Sequence, residues 1–393
     1  MYDFDEQINR RKTNSYKWAI AEDELPLWVA DMDFRTAPEV TATLQKRLDE
    51  GVFGYNIVTE EFNQSIIHWW QTQHQFTIQS EWILFCTGVV PAISSIVRKM
   101  TTEEDAIVLL TPVYNIFFNS ILNNHRQVLP SELRYENGNY TIDFTDLEEK
   151  LAKEETKMMI FCNPHNPTGK VWTKDILRRV GELCLKYNVF ILSDEIHCDL
   201  AHEGYAYTPF ASISEEIAQQ TITCVAATKA FNLAGLQTSA IIIPNATIRK
   251  QVNRGINTDE VAEPNTFAIQ ATTAAFEQGA PWLVALKHYL ATNRKYLKKK
   301  LNAALPEVRM IDSEATYLAW IDCSEITDDT TKLCEFLRKT TGVYLSDGDI
   351  FGGNGKQFIR LNYACPKQTL VEGVNRLVKG MELYKRREEE PTE

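Results

Sequence analysis

The sequence predicts an α/β protein in which a large domain, built on a mostly parallel sheet with helices on both faces, is joined to a smaller α+β domain. Three observations predict it. From about residue 83 to 243, short apolar runs alternate with amphipathic stretches, the strand-and-helix rhythm of a parallel sheet. After Pro281 that alternation gives way to a long amphipathic helix and scattered strand-like runs. A chain of 393 residues also exceeds one ordinary core, so two packed lobes are expected.

The strands expected in the large domain are Ile83–Thr87, Ala106–Leu110, Gln127–Pro130, Lys157–Cys162, Val189–Ser193, Ile222–Ala226 and Ala240–Ile243, with Pro91–Met100 and Lys174–Tyr187 among the helices. In the smaller lobe a helix is expected from Trp282 to about Leu301, then a strand at Tyr317–Ile321, a helix near Lys332–Thr340, a strand at Gln357–Asn362 and a final helix. The first fifty residues hold too little regular structure for a third core. The expected division is therefore 1–50 as a segment joining the small domain, 51–281 as the large domain and 282–393 as the small domain. No internal repeat is visible, and only the tail after Tyr384 is expected to fray.

Hydrophobic content of 44% and charged content of 24% are those of a globular protein with a sizeable core. A net charge of −12 argues against a nucleic-acid partner, because phosphate binding needs clustered Lys and Arg. The short basic stretches, such as Lys298-Lys299-Lys300, adjoin acidic residues and read as solvated helix faces. Eight cysteines occur without a CxxC pair, which suggests reduced, buried thiols and no metal site. No signal peptide or membrane-length apolar run is visible, so a cytoplasmic location is expected.

Between Glu216 and Arg249 the only charged side chain is Lys229. Burial disfavours an ammonium, so an isolated lysine in an apolar run becomes a reactive amine near neutral pH. The same run fits equally a lysine that snorkels from a strand end to solvent. Neighbouring strand ends bear on that choice. Lys157–Cys162 is followed by Asn163-Pro164-His165-Asn166-Pro167-Thr168-Gly169, which turns the chain and delivers an amide at Asn166. Val189–Ser193 ends on Asp194, which is either a helix cap or a carboxylate at the same sheet edge. Ile83–Thr87 runs into Gly88-Val89-Val90-Pro91-Ala92 and a helix start, whose free backbone N–H groups suit a phosphate. Phosphate site, carboxylate, amide and amine together match pyridoxal 5'-phosphate: Asp194 for the ring nitrogen, Asn166 for the phenolic oxygen and Lys229 for the aldehyde.

The ordered segments Asn166-Pro167-Thr168-Gly169, Ser193-Asp194-Glu195-Ile196-His197, Thr228-Lys229 and Phe358-Ile359-Arg360-Leu361-Asn362 resemble fold-type-I pyridoxal-phosphate enzymes of the aspartate aminotransferase superfamily. Within it the chain is most similar to the MalY/PatB group of cystathionine β-lyases, or C–S lyases. That likeness rests on Val29-Ala30-Asp31-Met32-Asp33-Phe34, Gly51-Val52-Phe53-Gly54-Tyr55, Gly279-Ala280-Pro281-Trp282-Leu283 and Thr316-Tyr317-Leu318-Ala319-Trp320, which span both lobes. The resemblance implies that Tyr114 stacks on the cofactor ring and that Thr228, Val89, Val90 and Tyr55 of a partner subunit hold the phosphate. It implies that Arg360, with Asn166 beside it, binds the substrate carboxylate, and that Lys229, Asp194 and Tyr114 form the catalytic set. Two positions depart from many aminotransferases of the superfamily: Gln237 stands where an arginine contacts the phosphate, and His197 where a tyrosine is common.

The implied activity is β-elimination on L-cystathionine or related cysteine S-conjugates, giving a thiol (homocysteine), pyruvate and ammonia, in a homodimer. An aminotransferase using the same residues is the nearest alternative. A non-catalytic regulatory binding protein is the alternative of another class, and the complete set of Asn166, Asp194, Lys229 and Arg360 weighs against it.

Overall fold

A computed structural model describes residues 2–389. Its centre is a seven-stranded sheet in the spatial order Ile83–Cys86, Ser239–Ile242, Thr221–Val225, Phe190–Asp194, Thr156–Cys162, Ala106–Thr111 and Gln127–Glu132. Ser239–Ile242 runs antiparallel to both of its neighbours, and the remaining pairs are parallel. All seven expected strands are present with ends displaced by a residue or two. The class is α/β with a mostly parallel sheet.

Strands inside such a sheet are covered on both faces, which is why their sequences read as unbroken apolar runs. Within Ala106–Thr111, Ile107 and Leu109 cluster with Ile93, Ile96 and Val97 of the helix Val89–Met100. Val108 and Leu110 cluster instead with Leu177, Val180 and Cys184 of the helix Lys174–Lys186. The two-residue period of strand side chains thus divides one run between two cores.

The smaller sheet is antiparallel, in the order Arg309–Met310, Leu318–Asp322, Phe358–Asn362, Ser346–Asp347. Its two-residue strands leave no period in the sequence and were not expected. The helix Ala280–Ala304 starts before the expected Trp282, because Pro281 occupies its first turn, where a missing N–H costs nothing. The tail expected to fray after Tyr384 instead continues the helix Lys367–Glu389. Tyr384 meets the Phe336 ring edge-on at 5.3 Å, the Arg387 guanidinium lies over the same ring, and Lys385 pairs with Glu307. Residues 390–393 of that tail lie outside the described residues. Among the described residues no helix is long and apolar enough to cross a membrane.

Near the amino terminus, Leu25–Pro26 pairs in parallel with Val343–Tyr344, while the helix Pro38–Asp49 packs on Ala268–Gln278. The intervening residues 28–34 form a strap between the lobes. Asn232 holds it, donating from Nδ2 to the carbonyls of Met32 (3.0 Å) and Phe34 (2.9 Å) and accepting the Met32 N–H at Oδ1. A charge cluster anchors it from behind. Lys17 is fully buried with its Nζ 2.7 Å from Asp33, and Arg10 reaches Asp31 at 2.8 Å and Asp33 at 2.7 Å. Burial alone would raise the Asp33 carboxyl, but Lys17 and Arg10 outweigh it and hold the group below its ordinary value.

Removing one member of a buried charge cluster leaves the opposite charge poorly compensated. Lys17→Met is therefore expected to destabilise the protein by about 2–4 kcal/mol, since Asp33 keeps only Arg10 as a cation. Urea unfolding near neutral pH reads this directly, and an unchanged midpoint would show that the cluster contributes no net stability.

Candidate active site

Strand register assembles the site. Cys162, Asp194 and Cys224 are partners across three adjacent parallel strands, so the segments that follow them leave the sheet side by side at its carboxyl edge. Beyond Cys162 the chain turns through Asn163–Gly169. Gly169 takes φ +69°, and a Cβ there would lie 2.5 Å from the Ser313 Cβ. Its carbonyl accepts the N–H groups of Glu314 (2.8 Å) and Ala315 (2.9 Å), which fixes the turn against the smaller lobe and leaves Asn166 buried.

Val89, Val90, Tyr114, Asn166, Asp194, His197, Thr228 and Lys229 line one cavity of about 260 Å³. At one end the helix Val89–Met100 begins after Gly88 without a side-chain cap, leaving the first backbone N–H groups free to bind an anion. Lys229 is partly buried and donates from Nζ to the Ala30 carbonyl at 2.7 Å. Burial lowers its ammonium from the ordinary value to about 8, with Arg360 adding to the effect and Asp31 and Asp194 opposing it. Asp194 accepts the Ile196 N–H at 3.1 Å, yet burial raises its carboxyl to about 7, with Glu195 contributing and Lys229 opposing. His197 stands edge-on to Tyr317 at 6.4 Å. Burial lowers its imidazole to about 3, and its Nδ1 has no hydrogen-bond partner among the described residues.

Arg360 adjoins this cavity from the strand Phe358–Asn362. It donates to Asn166 Oδ1 at 3.1 Å and to the Trp28 carbonyl at 3.2 Å, and its guanidinium lies over the Phe351 ring. Burial lowers it to about 10, opposed by Tyr114 and Tyr317. Tyr55 stands apart, fully exposed on a loop without regular structure.

These residues fit pyridoxal phosphate. An uncapped helix start suits the phosphate. A buried carboxylate short of positive charge suits a protonated ring nitrogen, and a lysine that readily gives up its proton suits an aldehyde. Reading the sequence missed Ala30, whose contribution is a main-chain carbonyl and leaves no side-chain signature. It also missed the lining positions Thr87, Cys162 and Thr238. Gln237 does line the cavity, in a left-handed conformation with φ +51°.

A second cavity of about 510 Å³ contains none of the expected site residues. His74, Cys198 and Asp199 beside it bring potential metal ligands within 4.8 Å of one another. Asp199 Oδ1 already meets Trp69 Nε1 at 2.8 Å and His74 Nε2 at 2.9 Å, so the cluster is satisfied as a hydrogen-bonded group.

Comparison with known proteins gives one consistent result. The aminotransferase class I and II family matches residues 22–377. Cystathionine beta-lyase PatB of Bacillus subtilis is 39% identical over 380 residues, covering 95% of this chain and 98% of the relative. Protein MalY of Escherichia coli is 35% identical over 386 residues, covering 96% and 98%. Among solved structures, cystalysin from Treponema denticola, which contains a pyridoxal 5'-phosphate cofactor, superposes with a TM-score of 0.94 at 36% identity, covering 97% of this chain and 99% of that one. A pyridoxal-phosphate-bound C-S lyase from Staphylococcus hominis superposes at 0.91 with 34% identity, covering 97% and 98%.

The raised Asp194 carboxyl has a thermodynamic consequence. The folded chain keeps a proton that the unfolded chain releases, so the cofactor-free protein loses stability as pH climbs from the ordinary carboxylate range through about 7. Asp194→Asn removes that loss. Without cofactor, the variant is expected to melt several degrees above wild type on the alkaline side of neutrality and close to it at acidic pH. Melting curves of the two proteins across pH check this, and parallel pH profiles would show that Asp194 ionises freely.

Proposed function

The chain belongs to the aminotransferase class I and II family, and we infer from this premise that it is a pyridoxal-phosphate-dependent carbon–sulfur β-lyase. It cleaves L-cystathionine or related cysteine S-conjugates to a thiol, pyruvate and ammonia, the thiol from cystathionine being homocysteine. The observation that carries the reading is the meeting of Lys229, Asp194 and Asn166 in one cavity beside the buried Arg360. The full-length likeness to proteins named as cystathionine β-lyases favours elimination over amino transfer.

The bound cofactor supplies an electron sink for the pair released when the substrate Cα–H bond breaks. Lys229 would hold the cofactor aldehyde and, once the substrate amine displaces it, take the Cα proton onto Nζ. An amine that titrates at about 8 is well matched to this task near neutral pH. Asp194 would keep a proton on the ring nitrogen. Asn166 has its Oδ1 occupied by Arg360 and so keeps Nδ2 to donate to the phenolic oxygen. Tyr114 would cover the ring, and His197 offers its unpartnered Nδ1 beside it. The N–H groups of Val89 and Val90 and the Thr228 hydroxyl would bind the phosphate. Arg360 would turn its planar fork on the substrate carboxylate, orienting the Cα–H bond towards Lys229. The thiolate then leaves from Cβ.

The reading extends to quaternary structure as a C2 homodimer in which Tyr55 completes the partner's site. It is supported by the loop around Tyr55, where Val52, Phe53 and Ile57 are also exposed in the single chain. The division into 1–50 with 282–393 and 51–281 belongs to the same reading, with the cofactor held mainly by the larger part.

Supplied with L-cystathionine and no keto acid, the holoenzyme is expected to release pyruvate and free thiol in equal amounts, and Lys229→Ala to lower kcat by about 10²- to 10⁴-fold. Coupled pyruvate and thiol assays test both. Normal pyruvate formation by Lys229→Ala would remove Lys229 from the chemistry, and turnover only with added keto acid would identify an aminotransferase.

Site sharing has its own test. Mixed Tyr55→Phe and Lys229→Ala subunits should recover activity that neither homodimer has, because a hybrid contains one site free of both lesions. No recovery despite demonstrated subunit exchange would place Tyr55 outside the site.

A further inference from the structure

The turn that presents Asp194 is held from behind by the next residue. Asp194, Ile196 and His197 line the cofactor cavity, whereas Glu195 is completely buried on the other side of the chain. Its Oε1 accepts the Ser193 hydroxyl at 2.7 Å and the Phe210 N–H at 2.9 Å, and its Oε2 accepts the Tyr207 hydroxyl. The Glu195 main chain is equally tied, its N–H donating to the Cys224 carbonyl at 2.9 Å and its carbonyl accepting the Cys198 N–H at 3.0 Å.

Every group that reaches this carboxyl is a neutral donor. Burial raises the carboxyl above its ordinary value, and the donors offset only part of that rise. Oε1 receives a main-chain N–H that cannot turn round to accept, so a proton could sit only on Oε2 against Tyr207, and the donor set as arranged favours the anion. The titratable groups that feel Glu195 are Asp194, Tyr207, Cys198 and Cys224; burial raises all of them, so none supplies a positive charge. Ionised, Glu195 is a second anion behind Asp194 with only dipoles to offset it.

We propose that Glu195 is a positioning residue for Asp194: it pins the turn that aims Asp194 into the cavity and, as a second negative charge, helps keep the ring nitrogen of the bound cofactor protonated. The inference rests on the reading of Asp194 as the partner of that nitrogen, and the test separates the two.

The experiment follows the ring nitrogen itself, by the ¹⁵N shift of labelled pyridoxal phosphate in the holoenzyme across the pH range in which it is folded. Wild type is compared with Glu195→Gln, Glu195→Asp and Asp194→Ala. In Glu195→Gln the ring nitrogen should release its proton about one pH unit or more lower than in wild type. Where wild type keeps the proton throughout, release in the variant is the shift that is read. Turnover should fall roughly tenfold in kcat, a change of about 1.4 kcal/mol in barrier, with KM little altered. Glu195→Asp keeps the charge and should recover most of the titration. If Glu195→Gln does not fold, Tyr207→Phe removes one donor, favours protonation of Glu195, and should move the nitrogen in the same direction. An unmoved titration in the folded variants, alongside a clear shift in Asp194→Ala, overturns the proposal. An unmoved titration in Asp194→Ala overturns the reading of Asp194 instead.

Discussion

The parallel ladder that sets Cys162, Asp194 and Cys224 level is the constraint on which the site depends. Side-chain direction alternates along a strand, so a slip of one residue in either neighbour would turn an apolar face outward and move a polar group off the edge together. Register is thus enforced by the two cores that flank the sheet, and the alignment of Asn166, Asp194 and Lys229 comes with it. The chemistry sits on rigid strand ends, and only the strap and the smaller lobe approach from elsewhere.

Charge compensation is complete in one part of the molecule and incomplete in another. Lys17, Asp33, Arg10 and Asp31 form a buried cluster in which each charge has an opposite neighbour. In the cavity the arrangement differs. Lys229 is met by a carbonyl, Asp194 by an amide N–H, and Arg360 by an amide oxygen and a carbonyl. Dipoles hold these groups in place without neutralising them, which is why burial displaces all three from their ordinary values in the direction that disfavours charge. The anchoring cluster and the cavity use the same residue types to opposite ends.

Much of this was legible in the sequence. Lys229 stood out because no other charge lies near it, and Asn166 and Asp194 because each closes an apolar run of strand length. A helix start after Gly88 was legible too, although the helix begins at Val89, two residues before the expected Pro91. Other features had no signal to read. Adjacent acids Asp194 and Glu195 are expected to face opposite sides of the chain, but nothing in their spelling says which one faces the cavity. Arg360 could be placed in a strand by its neighbours, yet its burial depends on Asn166 and Trp28, which are distant in sequence, as well as on Phe351. The persistence of the last helix past Tyr384 depends likewise on Phe336 and Glu307 in other elements.

Both cationic groups beside the cavity are held by main-chain oxygens of one short stretch: Ala30 takes Lys229 and Trp28 takes Arg360. A carbonyl survives any change of its own side chain, so exchanges at these positions leave the acceptors chemically intact. What the contacts require is the path of the chain, and that path is held by Asn232, by Asn362, which donates to the Val29 and Asp31 carbonyls, and by the Arg10 and Lys17 anchors. Ala30 therefore serves the reactive amine through its main chain alone, while Asp31 and Asp33 beside it carry the constraint through their side chains.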